Sequence, residues 1–443
     1  MKSVLIREAH IVDPSQQINE TGSLLIKDGK IAWLGKGQET PPELEAQESL
    51  SGCWLIEAKD LIVCPGFVDL HCHLRDPGFE EKETIGSGTL AAAKGGFTTV
   101  CCMPNTEPPI DNQSVTEYVK EKARTEGAIR VIPIGCISKG RKGETLAEMG
   151  ELVLAGVAGF SDDGNSVMNS RLMRQAMEYS RSFGLPIIEH CEDKVLVEGG
   201  QINEGIVATR LGLAGMPAAA EESILARDIA LAGLTGARLH IAHVSTAGSV
   251  ELIRQAKING IKITAEVTPH HLTLTEEKVM DYETNAKVNP PLRTRKDIQA
   301  LIGGLKDNTI DAIATDHAPH TVVEKLCEFA LAPFGISVFE TAFGSLMGLV
   351  HQGQLDTYTL ISKLTCGPAG ILGDNFGRLG TLAAGTPADV VLIDTEREWI
   401  VDPNAFVSKG KNTPLAGEKL KGKVLATIYQ GVVVYKDNTI EAL

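Results

Sequence analysis

Eight short apolar runs, separated by longer amphipathic stretches, constrain the fold of this 443-residue chain more than any other feature. Buried strands that alternate with helices form parallel sheets, and eight such units close into a (β/α)8 barrel. A barrel of this kind carries its active site at the carboxyl ends of its strands. The runs span residues 61–70, 97–103, 129–136, 156–160, 185–188, 238–242, 261–267 and 311–315.

Both ends of the chain have a different, all-β character. Asp28-Gly29 near the start and Gln430-Gly431 near the end each lie between apolar runs and predict a β-hairpin. Neither end alone can bury both faces of a sheet, so we expect the two ends to pack together as a small β-sandwich. The predicted fold class is α/β, with a sandwich domain over 1–62 and 378–443 and a barrel domain over 63–377.

The composition is that of an ordinary globular protein, with 43% hydrophobic and 22% charged residues. A formal net charge of −15 argues against nucleic acid as a partner, because binding to a phosphate backbone needs clustered Lys and Arg. Arg7 and Glu8 interrupt any secretory leader, and no later stretch predicts a membrane span. Nine cysteines without a C-x-x-C spacing suit reduced, buried thiols. We therefore expect a cytoplasmic protein with neither a membrane nor a nucleic-acid partner.

Polar residues that can do chemistry follow seven of the eight runs. His71-Cys72-His73 follows the first run, and side chains two residues apart share one face of a strand, so both imidazoles can hold one metal ion. A lone His-x-His is weak evidence, but this pair ends an apolar strand. Most of the eleven histidines fall at or just beyond the run ends. The other residues at these ends are Asn105, Asp162 and Asp163, His190, His243, His270 and His271, and Asp316.

Imidazole and carboxylate together suit zinc or a similar divalent ion. Asp316 directly follows the last run, where it can bind metal and relay a proton, so we predict that it is the general acid and base. A passive, buried Asp316 would itself need a nearby cation. His270 and His271 can orient neighbouring groups instead of touching the metal. His240, three residues before His243, faces differently on a strand and is left out of the metal site.

Seven motifs together resemble the dihydroorotase family of the amidohydrolase superfamily, in its long, class I bacterial branch. The resemblance runs over nearly the whole chain, and the combination is specific although no single motif is. The motifs are His71-x-His73-x-Arg75-Asp76-Pro77-Gly78, Met103-Pro104-Asn105-Thr106, Asp163-Gly164, His190-Cys191-Glu192, His243-Val244-Ser245-Thr246, Asn289-Pro290-Pro291-Leu292-Arg293 and Ala314-Thr315-Asp316-His317-Ala318-Pro319-His320.

The resemblance implies a zinc site of one or two ions. Many relatives bridge two ions with a carboxylated lysine, but no lysine lies between Lys142 and Lys194, and the class I pattern supplies an aspartate instead. Sequence alone does not separate Asp163 from Asp162 as this bridge. It also leaves open the occupancy of the second position and the choice among zinc, manganese and cobalt. The implied ligands are His71, His73 and Asp316 for one ion, His190 and His243 for the second, and Asp163 between them.

The resemblance also implies the substrate and the reaction. A guanidinium fork such as that of Arg75 recognises a carboxylate, which the dihydroorotate ring carries and dihydropyrimidinase substrates lack. The implied reaction is the reversible hydrolysis of dihydroorotate to N-carbamoyl-L-aspartate, in pyrimidine (UMP) biosynthesis, with Asp316 passing the proton. The implied substrate-binding residues are His73, Arg75, Asn105, Asn289, His320 and the backbone of Phe334 and Gly335.

Two other functions stay open. A dihydropyrimidinase, hydantoinase or allantoinase would share the barrel, but Arg75, Asn105 and the missing lysine count against it. A noncatalytic scaffold is disfavoured by the complete ligand set. Residues 319–333 form either a lid over the substrate or an ordinary surface connection. The resemblance is compatible with association with aspartate carbamoyltransferase and with a homo-oligomer, and one sequence selects neither.

Overall fold

The computed structural model describes residues 3–37, 39 and 53–440. Parts of the predicted sandwich segments, at 1–2, 38, 40–52 and 441–443, lie outside the described residues.

The described residues contain seventeen strands. Five precede the barrel: β1 Ser3–Asp13, β2 Ile18–Lys27, β3 Lys30–Lys36, β4 Cys53–Glu57 and β5 Ile62–Pro65. Nine lie in the central part of the chain: β6 Phe67–Cys72, β7 Phe97–Cys102, β8 Arg130–Pro133, β9 Ile187–Glu189, β10 Ile202–Asn203, β11 Gly215–Met216, β12 Leu239–Ile241, β13 Ile263–Val267 and β14 Ala312–Ile313. Three follow it: β15 Val390–Ile400, β16 Lys419–Tyr429 and β17 Val432–Lys436.

Thirteen α-helices connect the strands of the barrel and follow it. Several begin at a side chain that caps free backbone N–H groups, as Thr246 does for Ser249 and Thr294 for Asp297. In the described part of the chain, no helix combines the length and the apolar character needed to cross a membrane. The helices are α1 Ile85–Lys94, α2 Gln113–Glu126, α3 Met149–Ala155, α4 Ser170–Phe183, α5 Ile206–Leu211, α6 Ala218–Thr235, α7 Ala247–Ile258, α8 Pro269–Thr273, α9 Arg295–Lys306, α10 Val322–Lys325, α11 Phe339–His351, α12 Thr357–Leu364 and α13 Cys366–Leu372.

The two ends of the chain form one hydrogen-bonded sheet in the order β17-β16-β15-β5-β1-β2-β3, with β4 paired to β1. Alternate side chains of these strands, including Ile6, Ile26 and Leu392, form a buried cluster of their own. Residues on the opposite face, such as Cys64 and Ile393, pack into the core of the barrel. Because side chains alternate between the two faces of a strand, this sheet has two buried faces, one inside the sandwich and one against the barrel.

Both predicted hairpins are present. Asp28 and Gly29 have φ of 52° and 76°, and Gln430 and Gly431 have φ of 49° and 77°. Two successive positive φ values are typical of the tight turn whose twist matches that of the flanking strands. The turns join β2 to β3 and β16 to β17 as antiparallel pairs.

The barrel closes from two parallel sheets. One is β6-β7-β8 and the other is β14-β13-β12-β9. Phe160 bridges Gly135 on one side and Ile187 on the other, and Cys72 bridges His317. These bridges join the two sheets into a ring, so the predicted (β/α)8 architecture is confirmed. The fourth predicted strand, 156–160, contributes a single bridging residue to this ring.

The first predicted run, 61–70, is two strands instead of one. β5 pairs with β1 and β15 of the sandwich, whereas β6 pairs with β7 of the barrel. The chain changes sheets at Gly66, where an added Cβ would lie 2.1 Å from Thr98 Oγ1. The predicted boundary between 62 and 63 therefore falls inside β5.

The connection between β15 and β16 is a second departure from the predicted domains. The predicted sandwich includes all of 378–443, but this connection packs on the barrel. Asn412 contacts the residues that follow β14, and Lys278 of the barrel pairs with Glu418. Local sequence does not reveal this, because a turn-rich connection carries no periodic pattern that would identify its neighbour.

Candidate metal centre

The first and last barrel strands bring Asp316 beside two histidines. The backbone N–H of Asp316 donates to the carbonyl of His71 at 2.9 Å, and that of His73 donates to the carbonyl of His317 at 2.9 Å. This register places Asp316 Oδ1 3.0 Å from His73 Nε2 and 3.6 Å from His71 Nε2. The three side chains are buried.

Asp163 lies at the centre of the site. Its Oδ1 is 3.2 Å from His71 Nε2 and 3.9 Å from His243 Nε2, and its Oδ2 is 3.7 Å from His73 Nε2. Two groups of three candidate ligand atoms, each within 4.8 Å of one another, share this residue. They are His71, His73 and Asp163, and Asp163, His190 and His243.

Asp162 points away from this centre. Its Oδ1 accepts from the backbone N–H groups of Ile137 at 2.9 Å and Ser138 at 3.0 Å, and its Oδ2 accepts from the Ser138 hydroxyl. These bonds hold the Asp162 carboxylate against residues 137 and 138, whereas the Asp163 carboxylate lies beside His71. Of the two aspartates between which the sequence cannot decide, Asp163 is the one that lies among the candidate metal ligands.

The residues present fit a divalent cation. His71 Nε2 is buried and lies 3.2 Å from Asp163 Oδ1, in a geometry that makes no hydrogen bond. A buried polar atom left without a partner costs about 1–3 kcal/mol. Imidazole nitrogens and a shared carboxylate are the donor set that zinc and similar ions prefer. His190 Nδ1 and His243 Nε2 lie 2.8 Å apart beside Asp163, where one ion could hold both.

The pKa shifts of Asp163 and His243 suit a bound metal, whereas the neighbouring carboxylates, acting against burial, raise the pKa of His71 and His190. Burial alone would raise the pKa of Asp163, but His71, His73 and His190 hold it well below the usual range. Burial, together with the neighbouring His190 and His71, lowers the pKa of His243 well below its usual value. An ionised carboxylate and a neutral imidazole are the protonation states that bind metal.

Glu266, near the end of β13, belongs to none of the motifs that predict the site. Its Oε1 accepts from His71 Nδ1 and its Oε2 from His240 Nε2, both at 3.0 Å. Burial would raise the pKa of Glu266, but hydrogen bonds from His240 and His71 hold it at about 2. The first bond fixes the proton of His71 on Nδ1 and leaves Nε2 free to bind metal. The signal was an acidic residue inside an apolar run, where a buried carboxylate needs partners.

Asn105 joins two of the candidate ligands. Its Oδ1 accepts from His73 Nδ1 at 2.9 Å and its Nδ2 donates to Asp163 Oδ2 at 3.1 Å. It therefore orients a histidine and the central aspartate.

Most of the residues to which the resemblance gives substrate roles surround one cavity of about 200 Å³. Among the described residues, neither a lysine nor His320 lines it. His320 lies behind the wall, where its Nε2 contacts the Phe334 carbonyl at 2.8 Å and Arg75 Nη2 at 3.4 Å. The lining residues are His73, Arg75, Asn105, Asp163, Gly164, His190, His243, Val288, Asn289, Asp316, Ala318, Phe334 and Gly335.

Asn289 is held at the cavity by Glu192. Its Nδ2 donates to Glu192 Oε2 at 2.6 Å, and the same oxygen lies 3.7 Å from His190 Nε2. His271 supports the segment from below, since its Nε2 donates to the Pro290 carbonyl at 2.9 Å. His271 therefore contacts the residue after Asn289, as expected of an orienting group. His270 is buried, and neither of its ring nitrogens has a hydrogen-bond partner among the described residues.

Three residues of the site adopt a left-handed backbone conformation that residues other than glycine rarely adopt. Arg75 has φ of 63°, His243 of 34° and Asp316 of 46°. Such conformations cost of order 1–3 kcal/mol each and cluster at functional sites. All three residues follow barrel strands and line the cavity. The strained backbone conformations therefore occur at residues whose side chains face the cavity.

Residues 319–333 are held against the segment that carries Asn289. Lys325 Nζ donates to the carbonyls of Thr284 at 3.0 Å and Pro333 at 2.7 Å, and Lys287 Nζ donates to that of Phe329 at 2.7 Å. Both lysines are buried. Movement of these residues as a lid stays a prediction.

Comparisons with known proteins agree with this architecture. A family model described as dihydro-orotase-like matches residues 60–249. Curated relatives named dihydroorotase include one from Citrifermentans bemidjiense, 49% identical over 98% of this chain and 100% of its own. One from a Thermoanaerobacter species is 55% identical over 86% of this chain and 88% of its own. One from Acetivibrio thermocellus is 49% identical over 99% of this chain and 100% of its own.

Solved structures share the fold at lower identity. An L-hydantoinase (dihydropyrimidinase) from Arthrobacter aurescens has a TM-score of 0.88 and 24% identity, covering 100% of this chain and 98% of that one. A dihydropyrimidinase from Brevibacillus agri has a TM-score of 0.83 and 23% identity, covering 99% and 96%. At this identity the likeness concerns the fold alone, and it confirms the predicted class of barrel with a sandwich domain.

Proposed function

Since the chain belongs to the dihydroorotase family and is therefore a cyclic amide hydrolase, we propose that its His–Asp site interconverts N-carbamoyl-L-aspartate and dihydroorotate. The observation that carries the proposal is a cavity that candidate metal ligands and Arg75 line together. The ligands suit the opening of a cyclic amide, and the guanidinium suits a substrate with a ring carboxylate.

We propose that His71, His73, Asp163, His190, His243 and Asp316 hold one or two zinc ions. An ion held there would lower the pKa of water and polarise the amide carbonyl of the ring. Asp163 belongs to both groups of candidate ligands, which favours it as the residue that two ions would share.

Asp316 would move the proton. Its Oδ1 lies 3.0 Å from His73 Nε2, and Asp316 lines the cavity that would receive the ring. In the opening direction Asp316 takes a proton from the attacking water and returns it to the ring nitrogen as the C–N bond breaks. In the closing direction it takes the proton from the attacking ureido nitrogen of N-carbamoyl-L-aspartate and returns it to the departing water oxygen. A positioned carboxylate of this kind contributes typically 10²- to 10⁴-fold to a rate.

Arg75 would bind the ring carboxylate. Its Nε donates to the Pro319 carbonyl at 3.2 Å, and its Nη2 lies 3.4 Å from His320 Nε2. These contacts fix the plane of the fork before substrate arrives, and preorganised donors bind more tightly than mobile ones. Asn289 and the backbone of Phe334 and Gly335 line the same cavity and would contact the ring.

We further propose a place in de novo pyrimidine (UMP) biosynthesis and a cytoplasmic location. The eight cysteines that the structure describes are free, which suits a reducing compartment. Association with aspartate carbamoyltransferase and assembly into a homo-oligomer also stay proposals. Val323, Leu326 and Leu331, within residues 319–333, expose apolar side chains and offer a surface for such contacts.

A substrate panel tests the proposal. Purified protein with quantified metal is assayed with dihydroorotate, dihydrouracil, hydantoin and allantoin. We expect turnover of dihydroorotate and a kcat/KM at least roughly 100-fold lower for the three rings without a carboxylate, because a site built around a buried charge rejects a ligand that leaves it unpaired. Preference for one of those three rings would overturn the proposed substrate. Binding of dihydroorotate without turnover in either direction would favour the scaffold.

A further inference from the structure

The connection between β15 and β16 reaches the mouth of the barrel through residues 408–412. Ser408 Oγ donates to Glu83 Oε2 at 2.5 Å, which anchors the start of this segment to the barrel. Gly410 then passes so close to Pro319 that an added Cβ would lie 2.4 Å from the proline Cβ. The segment is therefore in direct contact with the residues that follow Asp316.

Asn412 uses both ends of its side-chain amide at this contact. Its Oδ1 accepts from the backbone N–H of His320 and from Ser337 Oγ, both at 2.9 Å. Its Nδ2 donates to the carbonyls of Ala318 at 3.1 Å and Gly335 at 3.0 Å. The side chain is buried. One amide thus ties together the start and the end of the 318–335 loop.

This loop in turn holds Arg75. The Pro319 carbonyl accepts from Arg75 Nε, and His320 contacts Arg75 Nη2. Pro319 lies between Ala318 and His320, the two residues whose backbones Asn412 grips. The orientation of the guanidinium is therefore linked to Asn412 through two short contacts.

We propose that Asn412 is a positioning residue for substrate recognition: it fixes the 318–335 loop and, through it, the guanidinium of Arg75 that binds the ring carboxylate. The inference rests on the proposed function. Asn412 makes none of its side-chain hydrogen bonds to the six candidate metal ligands. Its loss should therefore act on substrate affinity more than on metal content or on the chemical step.

Kinetics of Asn412→Ala separate positioning from a merely structural role. We expect KM for dihydroorotate to rise roughly 10-fold, because the loss of one to two hydrogen bonds weakens binding by about that factor. The value of kcat should change less than about threefold. Bound metal per chain should stay at the wild-type value. Asn404→Ala is the matched control, because Asn404 is exposed in the same connection and bonds only locally to Asp402. Its KM should equal that of the wild type.

A double-mutant cycle tests whether Asn412 acts through Arg75. In an Arg75→Met background, Asn412→Ala should change KM less than about twofold, since the group that it positions is gone. If Asn412→Ala does not fold, Asn412→Asp serves instead, because it keeps the size but faces two carbonyls with a carboxylate, and the same rise in KM is expected.

Either of two results would overturn the inference: an unchanged KM in a folded, metal-loaded variant, or a KM effect that persists at full size without Arg75. A folded, metal-loaded wild type without dihydroorotate turnover refutes the proposed function, and the inference with it.

Discussion

Replacing Glu266 with glutamine tests how the protein prepares His71 to bind metal. The Glu266 carboxylate accepts two hydrogen bonds at once, from His71 Nδ1 and from His240 Nε2, each at 3.0 Å. A glutamine side chain offers one oxygen acceptor and one NH₂ donor in the same place. One of the two imidazoles must then face an N–H group and lose its bond or move its proton to the other nitrogen. For His71, that would protonate the nitrogen that points toward Asp163.

The magnitude follows from burial and charge. Glu266 is 1% exposed, so solvent cannot replace the lost partner. A buried hydrogen bond to a charged group contributes about 1.5–3 kcal/mol, and each 1.4 kcal/mol corresponds to about tenfold in affinity. We therefore expect metal affinity to fall roughly 10- to 100-fold, the range found when partners of metal-binding histidines are removed.

The assay is competition for zinc between the metal-free protein and a chromophoric chelator, which reports affinity without relying on turnover. Glu251→Gln on α7 is the matched control, because Glu251 is exposed and contacts only Arg254 and Gln255 of its own helix. Far-ultraviolet circular dichroism of both variants establishes that the fold is retained. A zinc affinity within twofold of the wild type in folded Glu266→Gln would refute the role assigned to Glu266.

Three further predictions concern neighbouring residues. Asp163→Asn should lose most of its bound metal, whereas Asp162→Asn should keep its metal but have a lower melting temperature, because Asp162 accepts hydrogen bonds from two backbone N–H groups. Metal quantification and thermal unfolding of both variants test this. Equal metal loss in the two variants would contradict the assignment of Asp163 to the metal site. Arg75→Lys should raise KM for dihydroorotate roughly 10- to 100-fold, because an ammonium cannot reproduce the fork, and unchanged steady-state kinetics would exclude carboxylate binding by Arg75. Burial lowers the pKa of Lys325 from 10.5 to about 7, so between these values the unfolded chain binds more protons and stability rises with pH. Between about pH 7.5 and about pH 9, the free energy of unfolding of the wild type, measured in urea, should therefore rise by roughly 2 kcal/mol relative to that of Lys325→Met. If the difference between the two proteins does not change with pH, the lowered pKa of Lys325 is wrong.

The sequence predicts the barrel and much of its site because both follow from periodicity. A strand presents alternate residues on one face, so His71 and His73 had to point the same way, and parallel strands end at one edge, so distant ligands had to converge. The same reasoning explains why the prediction for the first barrel strand was wrong. The 61–70 run is apolar throughout because it is buried in two different sheets, and apolarity alone does not mark the change at Gly66.

Other features of the site depend on tertiary contacts that no local pattern encodes. Asp162 and Asp163 are chemically identical, and only the backbone N–H groups of 137 and 138 decide which one turns away. Glu266 was within reach of sequence reasoning as a charged residue in an apolar run. Asn412 was not, because its side-chain partners lie 75 to 94 residues earlier in the chain.

The most direct test of the central claim measures dihydroorotate ring opening and N-carbamoyl-L-aspartate ring closure on protein with quantified zinc, before removal of the metal, after removal and after reloading. We expect both directions to be lost on removal and to return in proportion to the zinc bound. A folded, zinc-loaded protein that converts neither compound, or a zinc-free protein that turns over at the full rate, would contradict the account.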